Sequence, residues 1–576
     1  MAPKLLTLAA AAAVLLSFGD AASAASPPPV EGEHGMVVTG HRLASAVGAD
    51  ILRRGGNAVD AAVAVGYALA VVLPAAGNLG GGGFMTIRFA DGRTTFLDFR
   101  EKAPLAATRT MYQDEAGNVV PGLSTRGWLA VGVPGSVMGL DTALERYGSL
   151  PRGTVMAPAI ALAENGFVLT RGDIELLRTA TDDFRNDPAS AAIFLKDGQT
   201  PYAPGDRLVQ KDLAATLRLI ARDGAAAVYK GPVGDAIVAA SRAGGGILQK
   251  ADFERYAVRE LKPVECTYRG FLVISAPPPS SGGLVICEIL NILEGYPLGY
   301  LGFHSAESVH YMVEAMRHAF VDRNSALGDP DFVDNPVARL LDKGYAAAIR
   351  ARIDPFRAGS SKEIGPGTPP HEGAQTTHYS IIDQDGTAVA VTYTLNSWFG
   401  ARVTAAGTGI LLNNEMDDFT AKPGTANIYG LVQGEANAIA PGKTPLSSMS
   451  PTIVARDGAV VMVIGSPGGP RIITITLEAI LNVIDHGMTV QEAIDAPRIH
   501  HQWQPDTVYV EPFALSRDTM RALAAMGYSF TEQPPWGRAE GILVGGPSLG
   551  APRSDSTPRY FGANDNRAPL GAAVGE

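Results

Sequence analysis

Gln375-Thr376-Thr377-His378-Tyr379-Ser380 is a polar, extended stretch about two-thirds of the way along the chain, directly after the Pro/Gly-rich run 364–374. A threonine hydroxyl is a weak nucleophile until a base removes its proton. One solution makes the threonine the first residue of a chain, so that its own α-amine is that base. Thr376 reads as such a chain start, held inside a precursor.

The residues that follow read as a hairpin. Alternating runs at 376–382 and 387–395 flank Asp383-Gln384-Asp385-Gly386. A three-residue loop with glycine in the left-handed slot is a common hairpin connection, and here it pairs Asp383 with Thr387. That register sets Thr394 directly across from Thr376. One face then carries Thr376, His378, Ser380, Thr392 and Thr394, and the other carries Thr377, Tyr379, Ile381, Val391, Tyr393 and Leu395. A hydroxyl at Thr394 is placed to hold the proposed terminal amine. An ordinary half-buried hairpin, with threonines that reflect strand propensity alone, fits the same pattern.

Working outward, residues 376–475 carry short β-branched runs and glycine turns, whereas 150–350 reads as helical, most clearly at 154–165, 208–223, 284–293 and 305–325. Upstream, 45–52 and 58–72 are rich in Ala, Val and Leu and helical in length. Gly80-Gly81-Gly82-Gly83 follows, and then the strand-like 84–90. A phosphate-cradling glycine loop comes after a strand and opens a helix. The order here is reversed, so the run reads as close backbone packing. Helices packed around sheets fit the whole, with the 360s as an exposed linker.

Bulk properties narrow the class. The 576 residues suffice for two or three domains or one large two-layered core. With 46% hydrophobic and 18% charged residues the chain is outside the disordered class. A net charge of −11 argues against nucleic acid or anionic membrane as main partner. Lys4, the apolar run 5–18 and Ala22-Ser23-Ala24 read as a signal peptide over 1–24, too short to span a membrane. The expectation is export, to the periplasm or beyond. Cys266 and Cys287 sit in apolar contexts, and nothing in the sequence brings them together; they read as small buried hydrophobes rather than a disulfide. His500-His501 would point apart on a strand, and His304, His310 and His318 lack a ligand motif, so no metal is expected. His378 reads as a packed neighbour of the nucleophile.

Several motifs combine in order: Asn78-Leu79-Gly80-Gly81-Gly82-Gly83-Phe84-Met85, Leu97-Asp98-Phe99-Arg100-Glu101, Gly132-Val133-Pro134-Gly135, Pro277-Pro278-Pro279-Ser280-Ser281-Gly282-Gly283, Thr376-Thr377-His378-Tyr379-Ser380, Leu412-Asn413-Asn414-Glu415-Met416-Asp417-Asp418-Phe419, Pro445-Leu446-Ser447-Ser448-Met449-Ser450-Pro451 and Gly465-Ser466-Pro467-Gly468-Gly469. Together they resemble the gamma-glutamyltranspeptidase family over almost the whole mature chain. The resemblance implies an α+β N-terminal nucleophile hydrolase with a four-layer αββα core. Two subunits, 25–375 and 376–576, would form it jointly after self-cleavage between Gln375 and Thr376.

The implied activity is hydrolysis or transpeptidation of γ-glutamyl amides such as glutathione. A γ-glutamyl-threonine intermediate would pass its acyl group to water, an amino acid or a dipeptide, without a cofactor. By the same resemblance Asp418 and Glu415 meet the substrate's α-ammonium, while Arg100, Ser447 and Ser448 meet its α-carboxylate. Gly468 and Gly469 form the oxyanion hole. The loop between Phe419 and Ser447 is a lid with Tyr429 as its gate. Asn396, two residues beyond Thr394 on the same face, is a further head-group contact. Ser397-Trp398 and the long polar stretch 547–560 depart from the family pattern at the rim and acceptor side. The rival readings are a cephalosporin or glutaryl acylase of the same superfamily and a non-catalytic exported binding protein.

Overall fold

The computed structural model describes residues 26–364, 376–551 and 559–576. The expected signal peptide, Gln375, most of the linker and 552–558 lie outside the described residues. Two seven-stranded sheets form the centre. Across the first run Ala572–Gly575, Met36–Thr39, Thr377–Ile382, Ala388–Thr394, Gly82–Arg88, Thr94–Phe99 and Arg259–Leu261, each antiparallel to its neighbour. The second runs Val30–Gly32, Tyr560–Asn564, Glu540–Val544, Ala459–Gly465, Thr452–Arg456, Phe271–Ser275 and Val264–Tyr268, again antiparallel throughout. Strands from either side of residues 365–375 are interleaved in both sheets.

The sheets face one another through Met36, Val38, Ile382, Ala388 and Ala390 on one side and Ile274, Ile453, Val463 and Ile542 on the other. Helices cover the outer faces. On the first sheet lies Ala58–Val72, buried at every residue, as a helix without a polar face must be. Asn57 starts it: its Oδ1 accepts from Val59 N and Asp60 N at 2.9 Å, while the Asp60 carboxylate accepts from Asn57 N. Over the second sheet pack Gly282–Leu293, Ala306–Ala326 and Arg471–Ile484. The result is the expected αββα stack. Helices Arg42–Arg53, Arg152–Asn165 and Lys211–Asp223 also form where the period places them.

The hairpin has the predicted register, with Thr377 opposite Tyr393 and Ile382 opposite Ala388. Asp383 N donates to Thr387 O at 3.1 Å, and Gly386 takes φ +90°. The hairpin is buried on both faces, not half-buried, because it occupies the middle of the sheet. Tyr379, Ile381, Val391, Tyr393 and Leu395 join the helix-side core. The glycine run packs closely, as read. A Cβ at Gly81 would lie 1.9 Å from Thr394 O, and one at Gly80 would lie 2.1 Å from Leu411 O.

The reading of the cysteines is corrected: Cys266 and Cys287 form a disulfide with Cα atoms 5.9 Å apart. Cys266 lies on the edge strand Val264–Tyr268, and Cys287 on the helix Gly282–Leu293 that packs over that edge. The chain between them runs out along a hairpin and back, which local sequence pattern does not display.

Candidate active site

Thr376 directly precedes an inner strand, and its neighbours give it a defined hydroxyl partner. Its Oγ1 lies 3.2 Å from Thr394 Oγ1, and both residues are buried. Thr394 Oγ1 in turn accepts the Asn396 N–H at 2.9 Å. Asn396 turns the chain with φ +72°, a region that asparagine tolerates better than most side chains. Its side chain is held from two sides: Nδ2 donates to Asn414 O at 3.0 Å, and Oδ1 accepts from the Tyr429 hydroxyl at 2.5 Å.

His378 sits on the same face, one pair deeper. Burial pushes its imidazole down to about 3. Nδ1 is 2.8 Å from Thr392 Oγ1 and Nε2 is 3.0 Å from Ser380 Oγ. The Ser380 hydroxyl donates to Glu540 O, so Ser380 accepts from the ring and Nε2 carries the proton. The neutral, doubly engaged imidazole matches a packing role.

A buried charge cluster stands at the other end of the site. Arg100 places Nη1 2.6 Å from Glu415 Oε1 and Nη2 2.5 Å from Asp418 Oδ2, with Glu101 Oε2 at 3.7 Å. Burial acts to lower the Arg100 guanidinium, but Glu415, Asp418 and Glu101 outweigh it and raise it. Burial raises Glu415 and brings Glu101 up to about 7. The residues expected to divide between an ammonium and a carboxylate are thus paired with one another.

Between strand Ala459–Gly465 and helix Arg471–Ile484 the turn carries Gly468 at φ +147° and Gly469 at φ +55°. Both are in the left-handed half of backbone space, where glycine is favoured. Their backbone lies at a helix N-terminus, where free N–H groups favour negative charge. The Tyr429 ring closes over this turn: a Cβ on Gly469 would meet Tyr429 Cδ1 at 2.7 Å. Asp417 anchors the loop that carries Tyr429, accepting from Ile428 N at 3.0 Å and from Ser124 Oγ at 2.6 Å.

One cleft is lined by Thr376, Thr394, Asn396, Arg100, Glu415, Asp418, Tyr429, Ser447, Ser448 and Gly469. Gly468 adjoins this lining without belonging to it. The sequence model of the family described as Gamma-glutamyltranspeptidase matches residues 44–572. The chain belongs to this family. It is 63% identical over 553 residues to a glutathione hydrolase proenzyme of Pseudomonas sp. strain A14, covering 96% of each chain. It is 48% identical to the glutathione hydrolase proenzyme of Escherichia coli K12, covering 93% of this chain and 95% of that one. Among solved structures it is similar to a cephalosporin acylase from Bacillus halodurans, at 27% identity and a TM-score of 0.82 over 97% of this chain and 99% of that one. The fold is that of the N-terminal nucleophile hydrolases.

Against this family background, sequence reasoning passed over three residues at the site. Glu101 was in a quoted motif without a role, and Asp417 stood beside Asp418. Arg323, also in the cleft lining, left a visible trace: it interrupts the buried face Val309, Met312, Met316, Phe320, Leu327 at helical spacing. Among the described residues no helix is long and apolar enough to cross a membrane.

Proposed function

We propose that this chain is a γ-glutamyl hydrolase and transpeptidase with Thr376 as its nucleophile. The observation that carries the reading is the Thr376–Thr394 hydroxyl pair on the wall of the cleft that ends in Arg100, Glu415 and Asp418. In maturation, Thr376 Oγ attacks the Gln375 carbonyl carbon. The peptide C–N bond breaks, the nitrogen takes a proton, and an ester joins Gln375 to Oγ. Water hydrolyses the ester and leaves residues 25–375 and 376–576 as two subunits, with a free amine on Thr376.

In turnover that amine takes the Oγ proton as Oγ attacks the γ-carbonyl of the donor. The negative oxygen of the tetrahedral intermediate is met by N–H groups at Gly468 and Gly469. Loss of one such donor costs about 3 kcal/mol in other hydrolases. The leaving amine departs with a proton, and the γ-glutamyl ester passes to water or to an acceptor amine. Thr394 holds the terminal amine. Asp418 and Glu415 receive the α-ammonium, Ser447 and Ser448 donate to the α-carboxylate beside Arg100, and Asn396 and Tyr429 close the pocket. Glutathione is the donor favoured by the relatives' names. Residues 1–24 direct export as a signal peptide.

The buried carboxylates favour this reading over a glutaryl acylase, because a glutaryl group brings no ammonium to offset them. Purified protein is expected as two fragments that cleave γ-glutamyl-p-nitroanilide in preference to glutaryl-p-nitroanilide. Thr376→Ala is expected to stay one chain without activity. An intact, inactive wild-type chain, or a preference for the glutaryl compound, would sink the proposal.

A further inference from the structure

Tyr429 closes over the cleft from a loop that is held at two points. At the tip, its hydroxyl lies 2.8 Å from Asn396 O and 2.5 Å from Asn396 Oδ1. At the root, Ile428 N donates to Asp417 Oδ2 at 3.0 Å. The other oxygen of the same carboxylate accepts from Ser124 Oγ at 2.6 Å. Ile428 directly precedes Tyr429, so one carboxylate fixes where the tyrosine starts.

Asp417 belongs to the short helical turn Glu415–Asp418. Glu415 and Asp418 line the cleft, whereas the Asp417 side chain points the other way, to Ser124 and Ile428. It is buried, and burial raises its carboxyl to about 6 against the pull of those two hydrogen bonds. At neutral pH it is therefore mostly ionised, and both oxygens accept. The wall behind it comes from the other side of the proposed cleavage point. Asn414 Nδ2 donates to Thr125 O at 3.1 Å, Gln113 Nε2 to Ala421 O at 2.6 Å and Lys422 Nζ to Gly117 O at 2.8 Å. Residues 113–125 thus brace the acidic turn and the start of the Tyr429 loop together.

We propose that Asp417, braced by Ser124, is a positioning residue that seats the Tyr429 lid over the γ-glutamyl pocket and ties it to the turn that meets the substrate's ammonium. The inference rests on the γ-glutamyl reading of the site and deepens it. Asp418 faces the ligand and Asp417 faces the lid, one residue apart on a single turn. An ammonium that binds Asp418 therefore steadies the same turn that seats Tyr429. The lid covers the donor in ground state and transition state alike, so loosening it raises KM and spares kcat.

Steady-state hydrolysis of γ-glutamyl-p-nitroanilide by two-fragment protein tests this. Asp417→Ala removes both acceptors and is expected to raise KM roughly 20-fold with kcat within about twofold. Asp417→Asn should restore KM to within about twofold of wild type. Its amide oxygen can still accept from Ile428 N while its amide nitrogen donates to Ser124 Oγ. The deciding readout is a double-mutant cycle with Tyr429→Ala. With the ring gone Asp417 has nothing to seat, so Asp417→Ala should change KM less than about threefold in that background. An undiminished effect there would overturn the proposal, because Asp417 would then act through Asp418 or on the fold as a whole. A loss in Asp417→Asn as large as in Asp417→Ala would overturn it too. Ser124→Ala removes one of the two contacts and should raise KM several-fold, again only where Tyr429 is present. This variant carries the test should Asp417→Ala not self-cleave. Wild-type protein without γ-glutamyl hydrolysis overturns the reading of the whole site instead.

Discussion

At the scale of single residues, the site depends on which groups keep their protons. His378 lies two residues from the proposed nucleophile, and its polar contacts among the described residues hold it as a neutral ring. Its folded value of about 3 is depressed below the ordinary 6.5 by burial. The fold therefore favours the neutral form. The stabilisation is fully present above pH 6.5 and is lost as pH falls from there towards 3, at up to about 1.4 kcal/mol per pH unit. Between pH 7 and 5 wild-type protein should lose about 2 kcal/mol more stability than His378→Gln, read by urea unfolding at the two pH values. Equal losses would show that the imidazole is hydrated or charged in the folded protein. The same reasoning removes His378 as a general base, since a ring that titrates near 3 is a poor proton acceptor for a threonine hydroxyl.

At the scale of elements, the proposed nucleophile is placed by the hairpin turn and by the close approach of the glycine run beneath it. Gly386 needs its left-handed φ but has open space around it, whereas a Cβ at Gly81 would overlap Thr394 O. Gly386→Ala should cost about 1–2 kcal/mol in strain and leave self-cleavage intact. Gly81→Ala should cost about 3 kcal/mol or more and displace the strand end that carries the Thr394 hydroxyl. Fragment formation on a denaturing gel, with thermal midpoints for both variants, checks this; rapid self-cleavage by the Gly81 variant would contradict it. The contrast also explains what was legible beforehand. The hairpin register was, because turn chemistry and alternation are local, and so were the helices with one apolar face. The pairing of Arg100 with Asp418 spans 318 residues, and that of Arg323 with Ser448 spans 125. Charge pattern could assign each a duty towards a ligand but could not show which would meet first. The disulfide was hidden for the same reason, since it depends on which helix covers which sheet edge.

At the scale of the whole molecule, the interleaving of strands decides what cleavage before Thr376 can do. In the first sheet, Thr377–Ile382 lies between Met36–Thr39 and Ala388–Thr394, so its ladders join residues from both proposed subunits. In the second, Thr452–Arg456 pairs with Phe271–Ser275, and Tyr560–Asn564 with Val30–Gly32. The sandwich core between the sheets is shared in the same way. Backbone ladders and apolar burial are barely screened by salt, unlike exposed ion pairs. Neither fragment could leave without exposing half of each sheet and its hydrogen-bonding edge. The cut protein should therefore elute as one heterodimer in size exclusion at low salt and at 1 M salt alike, and separate only in denaturant. Two peaks under native conditions would mean that the sheets are not shared as described. A stable heterodimer would instead explain how a chain can expose a new terminus at its centre without losing the scaffold that orients it.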